Sequence, residues 1–364
     1  MIKHFSTKLA ISLLLALAIP AGGLVYLSGA QLPGALYTQK QADERAAEAW
    51  QYFKDELLSK DGAVVRTEDD LVVSEGQSYG MMLALQNDDR EAFDRIWNWT
   101  RKGKNRQDLF AWKLKKNGEV LESVSAPDAD VMIGMALIFA ARKYQEPRYL
   151  KEAQVILKSI LQYEVDQDDY LLFCSYDKTW FNPSYQMPAF FRLFAKYTGE
   201  KRWLKVAERS YDLIFSCLKE EYGNLDNGLV PDWCNRDGSS RVGGGDFYYD
   251  AMRTPYFIAL DYLWHGQERA QSYLDKVIGN FFASKFSSFG DKYALSGREL
   301  SRYHVTSWVG ALAGAAMGGT SNRDKVNFFN HLMERPFPRG RYRYYDICWL
   351  NFGLLLSSGN FKLY

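Results

Sequence analysis

Two short segments of this chain set a carboxylate among aromatic and amide neighbours. One is Ser74-Glu75-Gly76-Gln77-Ser78-Tyr79-Gly80; the other, far downstream, is Tyr248-Tyr249-Asp250-Ala251-Met252-Arg253. Each stands just before a stretch that reads as helix. Two carboxylates in unlike environments are the minimum equipment for breaking a glycosidic bond, one donating a proton while the other activates water. A proton donor needs a raised pKa, which burial favours and a helix N-terminus opposes. For Glu75 the sequence leaves that contest open, and a plain helix-start carboxylate is the bland reading. Asp250 could be a simple N-cap, or a base kept ionised by Arg253, itself otherwise a surface cation. Asp246 competes with Asp250 for the role of base. A third acidic site, Asp128 and Asp130 in Ser125-Ala126-Pro127-Asp128-Ala129-Asp130, is expected to supply one helix cap and one side chain that grips sugar hydroxyls or binds a cation; which of the two does which is open at this point.

Aromatic residues make up 15% of the chain, enough to line a sugar cleft as well as a core. Trp112, Trp180, Tyr185 and Trp233 lie in loops beside polar residues, where a flat ring can stack on the apolar face of a pyranose. Tyr249 and Arg253 flank Asp250 and complete the candidate substrate contacts. Other chemistries find little material. The four cysteines (Cys174, Cys217, Cys234, Cys348) form no closely spaced pair of zinc-binding type, and only four histidines are present. No metal and no cofactor is expected, and a net charge of +1 gives no reason to expect a nucleic-acid partner.

The elements that must position these residues begin after a leader. Lys3, His4 and Lys8 precede an uncharged, mostly apolar run from Leu9 to Ala30, the pattern of a signal peptide or signal anchor over residues 1–32. A short tether, 33–40, then leads to a body expected to lie outside the cytoplasm. Over 41–364, segments that are apolar nearly all round (78–86, 130–144, 185–197, 250–264, 304–317, 345–356) alternate with amphipathic ones (41–59, 89–102, 148–164, 201–221, 267–284, 321–334). A helix apolar all round is buried, and one with a polar face covers a surface. Twelve helices in strict alternation predict an all-α, (α/α)6 barrel of six helical hairpins, a single domain and a monomer. No strand of useful length stands out. Glu75, Asp128, Tyr185 and Asp250 fall at the N-termini of inner helices, which share one end of such a barrel.

These motifs resemble glycoside hydrolase family 8 over most of the chain. The segment around Glu75 resembles that family's acid motif. Ala126-Pro127-Asp128-Ala129-Asp130 resembles its signature around a sugar-gripping aspartate, although Pro127 stands where Ser or Thr is usual. Tyr249 to Pro255 is similar to its base segment, and Asn182-Pro183-Ser184-Tyr185 and Pro231-Asp232-Trp233 are further matches. The resemblance implies inverting hydrolysis with Glu75 as acid, Asp250 as base, and a carboxylate separation of roughly 6.5–9.5 Å. It also implies a polysaccharide substrate, with β-1,4-glucan favoured over xylan or chitosan. The compact exported layout is similar to members that accompany a membrane polysaccharide synthase, so association with a synthase belongs to the expectation.

Overall fold

The computed structural model describes residues 32–364, so the leader lies outside the described residues. Within them are twelve α-helices: α1 (Gln39–Leu57), α2 (Ser74–Gln86), α3 (Arg90–Thr100), α4 (Pro127–Tyr144), α5 (Pro147–Tyr163), α6 (Pro188–Thr198), α7 (Arg202–Ser216), α8 (Thr254–His265), α9 (Glu268–Leu274), α10 (Thr306–Ala316), α11 (Asn322–Met333) and α12 (Arg343–Ser357). The expected alternation holds except at α6, whose C-terminal half, with Arg192 and Lys196, keeps a partly exposed face. Helices α2, α4, α8, α10 and α12 are buried on nearly every side. Helices α3, α5 and α7 carry their apolar residues on one stripe. Each even-numbered helix packs against the next, and α12 returns to α2, closing a ring of six inner helices. Each odd-numbered helix from α3 to α11 packs outside the inner helix before it, and α1 packs against α12. The sixth hairpin is therefore assembled from the two ends of the chain, making an (α/α)6 barrel.

Local signals stop and start these helices where the pattern demands. Thr38 and Gln41 form a capping box at the start of α1, and the Asp89 side chain caps α3. Prolines open α4, α5 and α6. The inner helices α10 and α12 approach backbone to backbone at Gly310 and Gly353. A Cβ on Gly310 would lie 2.1 Å from the Trp349 carbonyl oxygen, and one on Gly353 would lie 2.5 Å from the Gly310 Cα.

The sequence pattern did not disclose a four-stranded antiparallel sheet, β1 (Val65–Arg66), β2 (Leu71–Val73), β3 (Ala111–Lys115) and β4 (Val120–Ser125), in that order. Its strands are two to six residues long, too short for a clear two-residue period. The sheet has a positional role. Strand β2 runs directly into α2, and β4 ends at Ser125, two residues before α4. A small hairpin, β5 (Lys292–Tyr293) and β6 (Glu299–Ser301), pairs with Phe247 just upstream of Asp250.

The far end of the barrel is closed by the chain's last residues. Lys362 exchanges backbone hydrogen bonds with the Gln86 side chain (2.8 and 3.0 Å), Lys143 donates to the Tyr364 hydroxyl (3.0 Å), and the Tyr197 hydroxyl donates to the Tyr364 carbonyl oxygen (2.7 Å). Phe361 stacks on Trp264 with ring centres 5.9 Å apart. These partners stand at the C-terminal ends of α2, α4, α6 and α8. The four cysteines are all free and buried.

Candidate active site

At the opposite end, the N-termini of the inner helices bring the predicted residues together around one side chain. Arg253 ends the short 3-10 turn Ala251–Arg253 that leads into α8 and is 1% exposed, so it is not a surface cation. Its Nη1 donates to Glu75 Oε2 (2.8 Å), Asp128 Oδ2 (2.9 Å) and the Tyr79 hydroxyl (3.2 Å). Its Nη2 donates to Asp250 Oδ1 (2.8 Å) and Ser184 Oγ (2.8 Å). Three carboxylates separated by 175 positions in the chain thus meet on one guanidinium, whose planar fork fixes their relative orientation. Glu75 and Asp250 are joined through Arg253, one on each terminal nitrogen.

Several local expectations are corrected. Glu75 and Asp128 lie inside the first turns of α2 and α4 rather than just before them. Neither Asp128 nor Asp130 caps α4: Asp128 Oδ1 accepts from the Ala129 N–H (2.9 Å) and Asp130 Oδ1 from the Phe110 N–H (3.0 Å). Tyr185 ends a 3-10 turn, Pro183–Tyr185, and α6 starts at Pro188. Asp250 makes no side-chain cap. Its competitor Asp246 is half-exposed and paired with Lys292 at 3.1 Å, away from Arg253.

One positive charge cannot neutralise three negative ones in a buried site. Burial pushes the Glu75 carboxyl up to about 7; Arg253 opposes this, and Asp128 and Asp250 add to it. Burial therefore prevails over the pull of the arginine. Asp128 is also raised, first by burial, against the pull of Arg253. The Tyr344 hydroxyl donates to Glu75 Oε1 at 3.3 Å. It reaches there because position 76 is glycine: a Cβ at Gly76 would stand 2.6 Å from that hydroxyl oxygen.

Asp250 is held differently. Its Oδ2 accepts from Asn182 Nδ2 (3.0 Å) and Trp233 Nε1 (2.9 Å), and its Oδ1 from Arg253. A carboxylate offers roughly four lone-pair sites, so one direction on Oδ1 remains for a water. Asp232, which the sequence placed only within a matching motif, accepts from the Tyr248 N–H (3.1 Å) and Ala251 N–H (2.7 Å) and so fixes the turn that carries Asp250. Its carboxyl is raised by burial and by the negative charge of Asp250. Its position right beside Trp233 in the sequence is the signal that could have singled it out.

The aromatic wall forms next to Asp250. Trp180 and Trp233 lie 5.5 Å apart, Phe173 sits 5.5 Å from Trp180, and Phe173 stacks on Tyr185 at 5.8 Å. Phe173 was not anticipated, since it lies in a run that reads as core. On the other side, a cleft of about 430 Å³ is lined by Glu75, Tyr249, Asp250, Arg66, Tyr342 and Tyr345 among others. The Tyr249 hydroxyl donates to Asp291 (3.2 Å). Trp112 is not part of the Arg253 cluster. It stands on β3, its indole N–H donating to Glu122 of β4 at 3.0 Å, and Glu122 is among the charges that act on Tyr176, whose hydroxyl is raised chiefly by Cys174.

Comparison with known proteins places this geometry. Residues 27–358 match the sequence profile of the glycosyl hydrolases family 8. Endoglucanase 2 of Ruminiclostridium josui is 32% identical over 344 residues, covering 89% of this chain and 73% of that one. An endoglucanase of Escherichia coli K12 is 33% identical over 204 residues, 51% of this chain and 53% of that one. The structure of Rex8A from Paenibacillus barcinonensis complexed with xylose superposes with a TM-score of 0.82 at 26% identity, over 93% of this chain and 99% of that one. With a ring of six helical hairpins, acidic residues gathered at one end of it, and a profile match over nearly the whole chain, this protein belongs to glycosyl hydrolase family 8 and is a glycosidase.

Proposed function

We propose that the chain is an endo-acting, inverting hydrolase of β-1,4-glucan that works outside the cytoplasm. The observation that carries this reading is the Arg253 hub, which holds Glu75 and Asp250 on opposite nitrogens in unlike surroundings. Glu75, raised to about 7, acts as general acid and protonates the departing glycosidic oxygen. Asp250 orients and deprotonates the attacking water from its free Oδ1 direction, on the far face of the sugar. Asp128, its outer oxygen tied to Arg253, grips a hydroxyl of the sugar between them. Tyr185, Trp180 and Trp233 form the stacking wall on one side, with Tyr249 on the other and Trp112 further along the same end. Internal cleavage is supported by the likeness over 89% of this chain to Endoglucanase 2 of Ruminiclostridium josui. Work beside a membrane polysaccharide synthase, and a monomeric state, belong to the same proposal.

A second reading is hydrolysis of xylan oligomers, favoured by the resemblance along the full chain to Rex8A, described as a reducing-end xylose-releasing exo-oligoxylanase. Reducing-sugar release from carboxymethylcellulose, mixed-linkage β-glucan, xylo-oligomers and chitosan separates the two. Release from the glucans, with the new end appearing first as the α-anomer by proton NMR, is the expected result. Glu75→Gln is expected to lower kcat by about 10²–10⁴-fold, the usual size of general-acid catalysis. Unchanged turnover in that variant would remove Glu75 from the role. Binding of glucan without release by the unaltered chain would instead favour a glycan-binding component.

A further inference from the structure

Behind Asp128 lies a second acidic pair that the proposed chemistry does not use. Asp130, in the first turn of α4, and Glu164, just past the end of α5, are both 0% exposed. Their carboxyl groups are within hydrogen-bonding contact of each other. Asp130 Oδ1 is taken by the Phe110 N–H (3.0 Å) and Glu164 Oε1 by the Ser125 hydroxyl (2.6 Å). The other oxygens, Asp130 Oδ2 and Glu164 Oε2, are buried and meet no N–H or O–H donor among the described residues. No lysine, arginine or histidine among the described residues pairs with either group, and the charge that acts on both from outside is the carboxylate of Asp128.

Two bare carboxylates facing each other in a dry site would leave two acceptors without donors, at several kcal/mol of desolvation each. A proton between them turns one into an O–H donor and satisfies both. We propose that Asp130 and Glu164 share one proton and serve as a buried latch that positions Asp128, and through it Arg253, for the reaction proposed above. The latch joins three elements. Phe110 leads into β3 and Ser125 ends β4; Asp130 shares the first turn of α4 with Asp128. Glu164 anchors the start of the loop that carries Phe173 and Trp180, its carbonyl oxygen accepting from the Leu172 N–H at 2.9 Å. The direction of titration agrees: burial raises both groups, Glu164 up to about 7, and Asp130 is raised further by the charge of Glu164.

The shared proton has a measurable signature in stability. Two unfolded carboxyls release their protons in the ordinary acid range, whereas the folded pair keeps one. The latch's contribution is therefore complete below that range and declines as pH rises, until the shared proton is lost. Asp130→Asn keeps the shape and supplies an amide N–H in place of the proton. The experiment compares thermal unfolding midpoints from about pH 5 to about pH 9 for the unaltered chain, Asp130→Asn and Glu164→Gln. The midpoint of the unaltered chain is expected to fall with pH more steeply than those of the two amide variants. Parallel curves would overturn the shared proton whatever the enzyme's activity, so this readout stands apart from the function proposed above. For the positioning role, kcat and KM are compared in Asp130→Ala and Asp130→Asn at about pH 6. A loss of roughly tenfold to a hundredfold in kcat is expected for alanine, with recovery in asparagine, as for a displaced neighbouring group. Full kcat in a folded Asp130→Ala would overturn it. Should that variant fail to fold, Glu164→Ala against Glu164→Gln gives the same comparison.

Discussion

Arg253 is chemically inert at any pH a protein meets, and that inertness is what makes it useful between Glu75 and Asp250. It supplies a fixed positive charge and five fixed donors, so the proton balance of the cluster falls on the carboxylates. The consequence is a pH dependence set by Glu75. In the role of acid proposed for it, Glu75 must be protonated to work, and its carboxyl is raised to about 7, so activity is expected below that value and is expected to fall as pH rises through it. A pH profile of kcat/KM, which reports the free enzyme, with its alkaline limb centred near 7 is the expected outcome. A limb near the ordinary glutamate range, about 4, would show that substrate-free burial does not govern the step. The gathering at this scale was legible in the sequence: Glu75, Asp128, Asp250 and Arg253 all meet. Of their partners, Asn182, Ser184 and Asp232 stood only inside matching motifs without a role and Tyr344 was not named, because neutral donors and a backbone-bonded aspartate leave no charge pattern in a sequence.

At the scale of elements, precision comes from the way α2 and α4 are entered. Both follow directly on strands of one sheet, so Glu75 and Asp128 are set by backbone pairing as well as by helix packing. Val73, the residue before α2, is paired with Lys113, and Ser125 with Ala111. The sheet escaped the sequence reading because β4 is mostly exposed and carries apolar and polar residues without a buried face. The helices did not escape it, since the outer ones follow the 3.6-residue period and the inner ones are apolar runs too long for strands. Closeness between helices is a separate matter, decided by glycine. Gly310→Ala is expected to destabilise the fold by about 1–3 kcal/mol, the usual cost of overpacking, because the new methyl meets the Trp349 carbonyl rather than a movable side chain. Urea unfolding measures this; an unchanged midpoint would mean that α10 and α12 can separate without penalty.

Taken whole, the molecule divides its two ends by chemistry. One end gathers the carboxylates and the aromatic wall; the other is sealed by Phe361 to Tyr364 lying across the ends of four inner helices. Phe361 is 5% exposed and touches Trp264, Tyr256 and Phe352. Phe361→Ala is expected to cost about 3–5 kcal/mol and to lower the thermal midpoint while leaving KM unchanged, since the seal lies at the end away from Glu75. A rise in KM would show that the two ends communicate. The alternation of helices made the ring legible in the sequence, whereas the seal was not, because the side chains that receive it come from four distant segments.

The pairing of α1 with α12 also bears on how the protein comes to be folded. Asn351 of α12 donates to the Ala49 carbonyl of α1 at 3.1 Å, so the packing of α1 is completed only by α12. Until α12 is in place, five hairpins can form locally, but the ring has a missing sixth and an open flank. Closure then joins residues about 300 positions apart, a late and slow event by the logic of sequence separation. The ring therefore cannot lock shut from its five local hairpins alone, and a mutation in α1 is expected to act on the joining of α1 to α12.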